Sequence, residues 1–253
     1  MEPESTMLRA DPFEVVPADY PVMFFHSAGY LRIPGLVGQH ERAALRAAAE
    51  RLAGQPHRAQ VARSPERTRI DRVVSQAPEF LRLANSPRLL ATLRPILGTD
   101  IELVENRHNH LSTYHKRSVD RLHRDILQWS RSLLTVLIYL SDCTDLASAT
   151  RVVPGSHRWP CTGRPNNGGT WLDESPNYSA LSAQAVAVPA SDGDAVLMHG
   201  QLYHCGAGAS ALGPRIVLTL AYRSVDELSD DEPRHCRLVS GRRSYRGRGA
   251  IHV

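Results

Sequence analysis

The sequence changes character near residue 100, and this change limits the folds that the chain can adopt. Before it, apolar residues recur at helical spacing; Ser86-Pro87 is a typical helix start, and the leucine stripe that follows ends at Gly98. After it, short runs rich in Val, Ile, Leu, Thr and Tyr alternate with turn signals. These runs are Ile101–Val104, Leu133–Leu140, Ala185–Val188, Ala195–Met198 and Ile216–Tyr222. Helices followed by many short strands predict an α+β chain whose core is a sandwich or barrel.

Length and composition favour one domain. A chain of 253 residues, 42% of them hydrophobic, suits a single large β-sandwich or barrel, and no apolar run is long enough to span a bilayer. We expect a tail over 1–20, one domain over 21–235 with a lid-like loop at 161–182, and a basic tail over 236–253. The polar, acidic start indicates a tail rather than a signal peptide, so we expect a cytoplasmic protein.

The net charge of +4 says little about partners. Lys116 is the only lysine, so the arginine excess is a compositional bias of the whole chain. The densest basic run, 242–248, has no interleaved aromatic platform, which favours a solvated tail over a nucleic-acid site. We therefore expect no nucleic-acid and no membrane partner, and the oligomeric state stays open.

Cysteines and most histidines show no metal-binding spacing. The four cysteines are far apart and lack a CxxC pair, which predicts ordinary thiols rather than a zinc site or a disulfide framework. Three further histidines could line a pocket, but they have no ligand pattern, which favours surface positions; they are His108, His110 and His115.

A His-X-Asp triplet is the first candidate for chemistry. On a strand, His123 and Asp125 would point to the same side and present an imidazole beside a carboxylate. Trp129 lies an even number of residues after Asp125 and would point to the same side of the strand, so its ring would stand near the mouth of the same site. The triplet alone is weak evidence, because a surface ion pair or a core histidine explains it too.

A third ligand is expected from the segment after Gly193-Asp194. This turn begins a strand that leads to His199 and His204, which are five residues apart and would face opposite ways on a regular strand. Only one of them can therefore join the triplet. Two histidines and one carboxylate on one face of a metal favour non-haem Fe(II) and leave three coordination positions open.

Arg215 supplies the third feature, a fixed cation close after the histidines. A 2-oxoglutarate molecule binds iron through its 2-oxo group and one carboxylate, and its far carboxylate needs such a cation. Arginine is suited because its planar fork binds a carboxylate bidentately. Glycines between His204 and Arg215 would let the chain turn back and bring the two side chains together.

Taken together and in order, these segments resemble the phytanoyl-CoA dioxygenase-like family. The resemblance covers about residues 24 to 222, and the segments that carry it are His123-Arg124-Asp125, Val152–His157 and Gly193-Asp194 through His204 to Arg215. It implies a double-stranded β-helix (jelly-roll) core with flanking N-terminal helices. It also implies an oxygenase that uses Fe(II), 2-oxoglutarate and O₂.

The resemblance assigns roles to individual residues. It implies that His123, Asp125 and His204 bind iron and that Arg215 binds the distal carboxylate of 2-oxoglutarate. Thr150 would be a second cosubstrate contact, although the residues just before it depart from the family's usual glycine. His157 would shape a loop rather than bind metal. Substrate would pass Trp129 and the 161–182 loop, where Trp171 is a second candidate contact.

The predicted reaction is oxidation of a C–H bond in a small organic molecule, by hydroxylation, epimerisation or cyclisation. Small bacterial members of the family often modify secondary metabolites, including antibiotics, and analogy extends that role to this chain. The presence of Asp125 argues against halogenation, which needs that coordination position for chloride. The alternative is a jelly-roll isomerase or binding protein that holds a metal without redox chemistry.

Overall fold

The computed structural model describes residues 20–55, 60–118, 121–126, 133–159, 178–227 and 235–243. Its helices are α1 (Tyr20–Ala28), α2 (Gln39–Ala53), α3 (Val73–Gln76), α4 (Pro78–Ala84), α5 (Pro87–Leu97) and α6 (Tyr178–Ala183). Its strands are β1 (Tyr30–Ile33), β2 (Val61–Arg63), β3 (Arg67–Asp71), β4 (Ile101–Val104), β5 (His110–Tyr114), β6 (Leu134–Tyr139), β7 (Thr150–Val152), β8 (Val186–Val188), β9 (Ala195–His199), β10 (His204–Cys205), β11 (Arg215–Ser224) and β12 (Cys236–Ser240).

Two antiparallel sheets form the core of the described chain. The major sheet has the order β1-β9-β6-β11-β5-β3-β2, and β4 extends it by pairing with β11 and β12. The minor sheet has the order β10-β7-β8. Strands distant in sequence lie side by side, as in a double-stranded β-helix, and this confirms the predicted fold class.

Strand alternation separates a helix-covered face from a cavity face. On β6, Leu134, Val136 and Ile138 pack with the apolar stripes of α2, α4 and α5. The intervening residues of β6 face the minor sheet, where Leu137 and Tyr139 join a second apolar cluster. This period of two fixes which side chains of the major sheet can reach a site between the sheets.

The helices confirm the patterns that predicted them. Helix α5 begins after Ser86, whose hydroxyl accepts a hydrogen bond from the Leu89 amide at 3.3 Å, and Pro87 occupies its first turn. Helix α2 ends at Ala53, and Gly54 is its C-cap. Within the described ranges, no helix combines the length and the apolarity needed to cross a membrane.

The C-terminal boundary needs a correction. The sequence interpretation ends the domain at residue 235, but Cys236–Ser240 forms β12 and pairs with β4 in the major sheet. Buried Glu102 on β4 binds Arg223 on β11 and also Arg243, which lies just beyond β12. The sheet therefore extends into the segment that charge alone marked as a tail.

Candidate metal and cosubstrate site

The three predicted metal ligands lie together at one end of the space between the sheets. His123 and His204 form an isolated antiparallel bridge, and each amide donates to the other residue's carbonyl at 2.9 Å. The Asp125 amide donates to the Gly200 carbonyl at 2.9 Å. The His-X-Asp segment is thus a short bridged stretch, not the predicted strand, but it still turns His123 and Asp125 toward each other.

The geometry of the three side chains suits a metal ion. One ligand atom from each of His123, Asp125 and His204 lies within 4.8 Å of the others. The Nδ1 atoms of the two rings lie 3.0 and 2.9 Å from the carbonyls of Arg121 and Leu202. Because a carbonyl only accepts, each Nδ1 carries the proton and Nε2 is left as the nitrogen available to a metal.

The Asp125 carboxylate is held in one orientation and kept ionised. Thr135 of β6 donates a 2.6 Å hydrogen bond to Oδ2, while Oδ1 lies 3.6 Å from Nε2 of His204. Burial by itself would raise the pKa of Asp125, but His108, His204, His123 and the Thr135 hydroxyl together lower it below its usual range. An ionised, oriented carboxylate between two imidazoles is the ligand set expected for non-haem iron.

His199 and His204 occupy different parts of the chain. Strand β9 ends at His199, whose Nδ1 accepts from the Gln201 amide at 3.1 Å, and its ring lies 5.1 Å from that of His157. A tight reversal over 200–203 then separates it from β10, where His204 is buried beside Asp125. The two histidines do face different regions, but because of this reversal rather than strand parity.

Arg215 is buried at the opposite end of the same space. Its guanidinium donates to the Ala207 carbonyl and to the Thr150 hydroxyl, each at 3.0 Å, and the Tyr139 hydroxyl lies 2.7 Å from that of Thr150. Among the described residues, Arg215 Nε has no hydrogen-bond partner. No carboxylate in the described part of the chain pairs with this buried cation, so the group retains the capacity to bind an anion.

Tyrosines help to keep Arg215 charged. The guanidinium lies 5.1 Å from the ring centre of Tyr114 and 5.6 Å from that of Tyr139. Burial opposes its charge, but the surrounding Tyr139, Tyr114 and Cys143 raise the pKa of Arg215 above its ordinary value. Burial also raises the pKa of the Tyr139 phenol, so Tyr139 stays a neutral hydrogen-bonding group.

One cavity of about 320 Å³ joins the two ends. It is lined by the three candidate ligands and Arg215 together with Arg67, Arg69, His108, His110, Ser112, Tyr114, Thr135, Leu137, Thr150, Met198, Gly206, Val217 and Thr219. The predicted ligands, the predicted cation and Thr150 therefore share one cavity. Trp129 and Trp171 lie outside the described residues, as does the greater part of the 161–182 loop.

Sequence reasoning misplaced two histidines. His108 lies 3.5 Å from the Asp125 carboxylate, and His110 lines the same cavity, whereas His115 is exposed as expected. Burial lowers the pKa of both His108 and His110. His108 also has a left-handed backbone, with φ of 49°, which no sequence pattern predicts.

Tyr114, Tyr139 and Thr135 were missed altogether, although a signal for them existed. Once β5, β6 and β11 are taken as neighbours, alternation places Tyr114, Thr135, Tyr139 and Arg215 on the face that holds the cavity. The pairing of β5 and β6 with β11 could not be predicted from the sequence.

The Pro-Gly-Ser-His segment lies beside the site and supports it. Ser156 begins a 3-10 turn, and its hydroxyl accepts from the Tyr203 amide at 2.9 Å. His157 binds the carbonyl of His26 on α1 and packs against His199, away from the candidate ligands. This agrees with the expectation that His157 shapes a loop.

Fold and site together define a class: a double-stranded β-helix protein with a two-histidine, one-carboxylate centre and a buried arginine across the cavity. Residues 25–217 match the phytanoyl-CoA dioxygenase (PhyH) family. The chain belongs to this family, whose members are 2-oxoglutarate-dependent oxygenases, and it is accordingly an oxidoreductase.

Solved structures share the fold across almost the whole chain. The epimerase SnoN, in complex with Fe³⁺, alpha ketoglutarate and nogalamycin RO, is 20% identical with a TM-score of 0.69, over 89% of this chain and 96% of that one. The carbocyclase SnoK from nogalamycin biosynthesis is 21% identical with a TM-score of 0.68, over 83% and 85% of the two chains. HygX from Streptomyces hygroscopicus, with nickel, 2-oxoglutarate and hygromycin B bound, is 23% identical with a TM-score of 0.64, over 84% and 90%.

Proposed function

We propose that the chain is an Fe(II)- and 2-oxoglutarate-dependent oxygenase that oxidises a C–H bond of a small organic molecule. His123, Asp125 and His204 bind the iron, and Arg215 with Thr150 binds the distal carboxylate of 2-oxoglutarate. The observation that carries the proposal is the position of Arg215. It is a buried cation without a carboxylate partner among the described residues, and it lies across one cavity from a two-histidine, one-carboxylate cluster.

The donor set fits iron on chemical grounds. Two neutral imidazoles and one carboxylate on one side of an ion leave room for a bidentate cosubstrate and O₂. Carbonyl partners fix both rings, and the Thr135 hydroxyl occupies the Asp125 oxygen that faces away from His204. When bound, iron would supply the redox chemistry that couples cosubstrate decarboxylation to C–H oxidation.

The protein's own contribution is orientation and exclusion of water. Arg215 and Thr150 would hold the cosubstrate by its distal carboxylate, so that its other end points toward the ligand cluster. Tyr139 keeps the Thr150 hydroxyl in place through the 2.7 Å contact. The buried walls strengthen these electrostatic contacts, because the effective dielectric constant inside a protein is lower than in water.

The substrate class follows by analogy. The similar structures include an epimerase and a carbocyclase of nogalamycin biosynthesis and a protein with hygromycin B bound. We therefore infer a bacterial secondary metabolite as substrate and a cytoplasmic site of action. Trp129 and Trp171 stay predictions for substrate contact. The position of Arg215 favours this function over a non-redox isomerase or binding protein, which binds no 2-oxoglutarate as cosubstrate.

The test is cosubstrate turnover. Purified protein with Fe(II) should bind 2-oxoglutarate anaerobically, develop the weak visible absorption of that complex, and release succinate from 2-oxoglutarate when O₂ is admitted. Where Arg215 is replaced, the matched control is Arg88→Gln, an exposed change on α5 away from the cavity that also removes one arginine. Failure to bind 2-oxoglutarate in the presence of Fe(II) would overturn the proposal.

A further inference from the structure

Two arginines outside the proposed cosubstrate contacts also line the cavity. Arg67 and Arg69 lie on β3, beside β5, at register positions opposite Tyr114 and Ser112. On its other side β5 pairs with β11, where Arg215 is opposite the same Tyr114. The Tyr114 ring therefore lies between two cations, 5.8 Å from the guanidinium of Arg67 and 5.1 Å from that of Arg215.

These two arginines leave the cavity with an excess of positive charge. Among the described residues that line the cavity, Asp125 is the single carboxylate, against three arginines. In the loaded site, a divalent metal and Arg215 would contribute positive charge, and Asp125 and the cosubstrate dianion would contribute negative charge. These four charges would sum to zero. The charges of Arg67 and Arg69 would then be left over.

The available acidic partner offsets only part of this excess. Asp71 binds Arg69 Nε at 2.7 Å, from a half-buried position on the same strand. Arg67 has no carboxylate within ion-pair distance in the part of the chain that the structure describes, and its guanidinium lies over the Tyr114 ring. Its cation thus lines the cavity without being neutralised there.

The wall beside these arginines also carries unused polar atoms. Ser112 Oγ and His110 Nδ1 are both buried, and neither has a hydrogen-bond partner among the described residues. Both residues line the cavity on β5, the strand next to the arginines. Buried polar atoms without partners are rare in proteins, so their position here indicates a polar occupant.

We propose that the substrate of this enzyme carries an acidic group (a carboxylate, sulfate or phosphate) that Arg67 and Arg69 bind. The inference rests on the proposed function, because it names the substrate class of that same cavity. It also disfavours a molecule with several ammonium groups. Such a molecule would meet the Arg67 guanidinium, which has no carboxylate partner among the described residues, beside that of Arg69, which pairs with Asp71. The arginines thus act as specificity-determining residues for an anionic small molecule.

The test separates substrate binding from cosubstrate binding. Enzyme loaded with Co(II) and saturating 2-oxoglutarate is titrated by calorimetry with phenylacetate and with phenylacetamide, which match in shape and differ in charge. The wild type should bind the acid about tenfold more tightly, the effect expected of two partly exposed charge pairs. In Arg67→Gln/Arg69→Gln this preference should vanish, while Arg82→Gln/Arg88→Gln, with the same loss of charge on exposed helix positions, should keep it.

Each contrary result has its own meaning. Equal affinity for acid and amide in the wild type, or no heat from either, overturns the inference. So does a preference that survives in the Arg67→Gln/Arg69→Gln variant. If that variant instead loses affinity for 2-oxoglutarate, the arginines serve the cosubstrate and the inference is wrong. Failure of the Co(II) enzyme to bind 2-oxoglutarate at all would contradict the proposed function itself.

Discussion

The two ends of the cavity are built in different ways. At the ligand end, His123 and Asp125 come from a short bridged stretch outside the regular strands, and backbone carbonyls orient the rings. At the arginine end, Arg215 begins the long central strand β11 and donates to the hydroxyl of Thr150 on the minor sheet, which the hydroxyl of Tyr139 on the neighbouring strand β6 contacts in turn. The ligand end thus depends on a local motif, whereas the arginine end depends on strand pairing, and changes at the two ends should have separable effects.

The largest effect is expected at the ligand end. Asp125→Ala should lower 2-oxoglutarate turnover by about a thousandfold or more, because it removes the one carboxylate that the protein is proposed to supply to the metal. The fold should survive, since the backbone contact of Asp125 is retained. Turnover and circular dichroism are measured beside Asp226→Ala, an exposed change. Retained turnover would refute the ligand assignment.

Arg215→Met should act on the cosubstrate alone. The dissociation constant for 2-oxoglutarate should rise about a hundredfold, since charge-assisted hydrogen bonds contribute about 1.5–3 kcal/mol each. Calorimetry with the Co(II) enzyme checks this, and affinity for Co(II) in the absence of cosubstrate should stay unchanged. A parallel loss of metal affinity would show that the two ends are coupled and would break the comparison.

The difference between the two ends of the cavity explains how much of the site could be predicted from the sequence. A short triplet and one segment after a turn nominated His123, Asp125 and either His199 or His204, and the resemblance to the family then selected His204. Tyr139 and Tyr114 reach Arg215 only because β5 and β6 both pair with β11, and pairing between distant strands is not encoded in any local period. The position of His108 was not predicted for another reason. Its backbone is left-handed, and its ring lies beside the Asp125 carboxylate.

Arg124 offers a test of what holds the ligand segment in place. Its buried guanidinium donates to the carbonyls of Ser156 and Trp159 at 2.6 and 3.0 Å and lies 4.1 Å from the centre of the Tyr203 ring. It therefore ties the residues next to His123, Asp125 and His204 to one loop. Arg124→Met should weaken Co(II) binding about tenfold, given roughly 1–2 kcal/mol for lost contacts of this kind.

Arg124→Lys keeps the charge but loses the planar fork, and it should recover only part of that affinity. Calorimetric titration with Co(II), together with urea unfolding, distinguishes a role of Arg124 in positioning the ligands from a purely structural role. If stability falls while metal affinity stays at the wild-type value, Arg124 is structural and does not position the ligands.

A smaller effect is expected from one hydroxyl at the arginine end. Tyr139→Phe removes the group that lies 2.7 Å from the Thr150 hydroxyl, so the 2-oxoglutarate dissociation constant should rise about fivefold, for roughly 1 kcal/mol. Tyr222→Phe is the matched control, because its hydroxyl donates to the Ala84 carbonyl on the helix-covered side of the sheet. That control should lose stability and keep cosubstrate affinity. An equal affinity loss in both variants would remove Tyr139 from the cosubstrate end.

The smallest effect concerns His199, the histidine that competes with His204 in the sequence. Burial, followed by the nearby His157, lowers the pKa of His199 to about 4, from about 6.5 in the unfolded chain. Between these values the unfolded state binds more protons than the folded state, so stability is present above about pH 6.5 and is lost as the pH falls toward 4.

His199→Gln removes this titration. The loss of unfolding free energy between neutral pH and pH 5 should therefore be about 1–2 kcal/mol smaller in the variant, measured by urea unfolding. Its affinity for Co(II) should equal that of the wild type, because the ring packs against His157 and not against the ligand cluster. A marked fall in metal affinity would place His199 at the ligand end and reverse the choice between the two histidines.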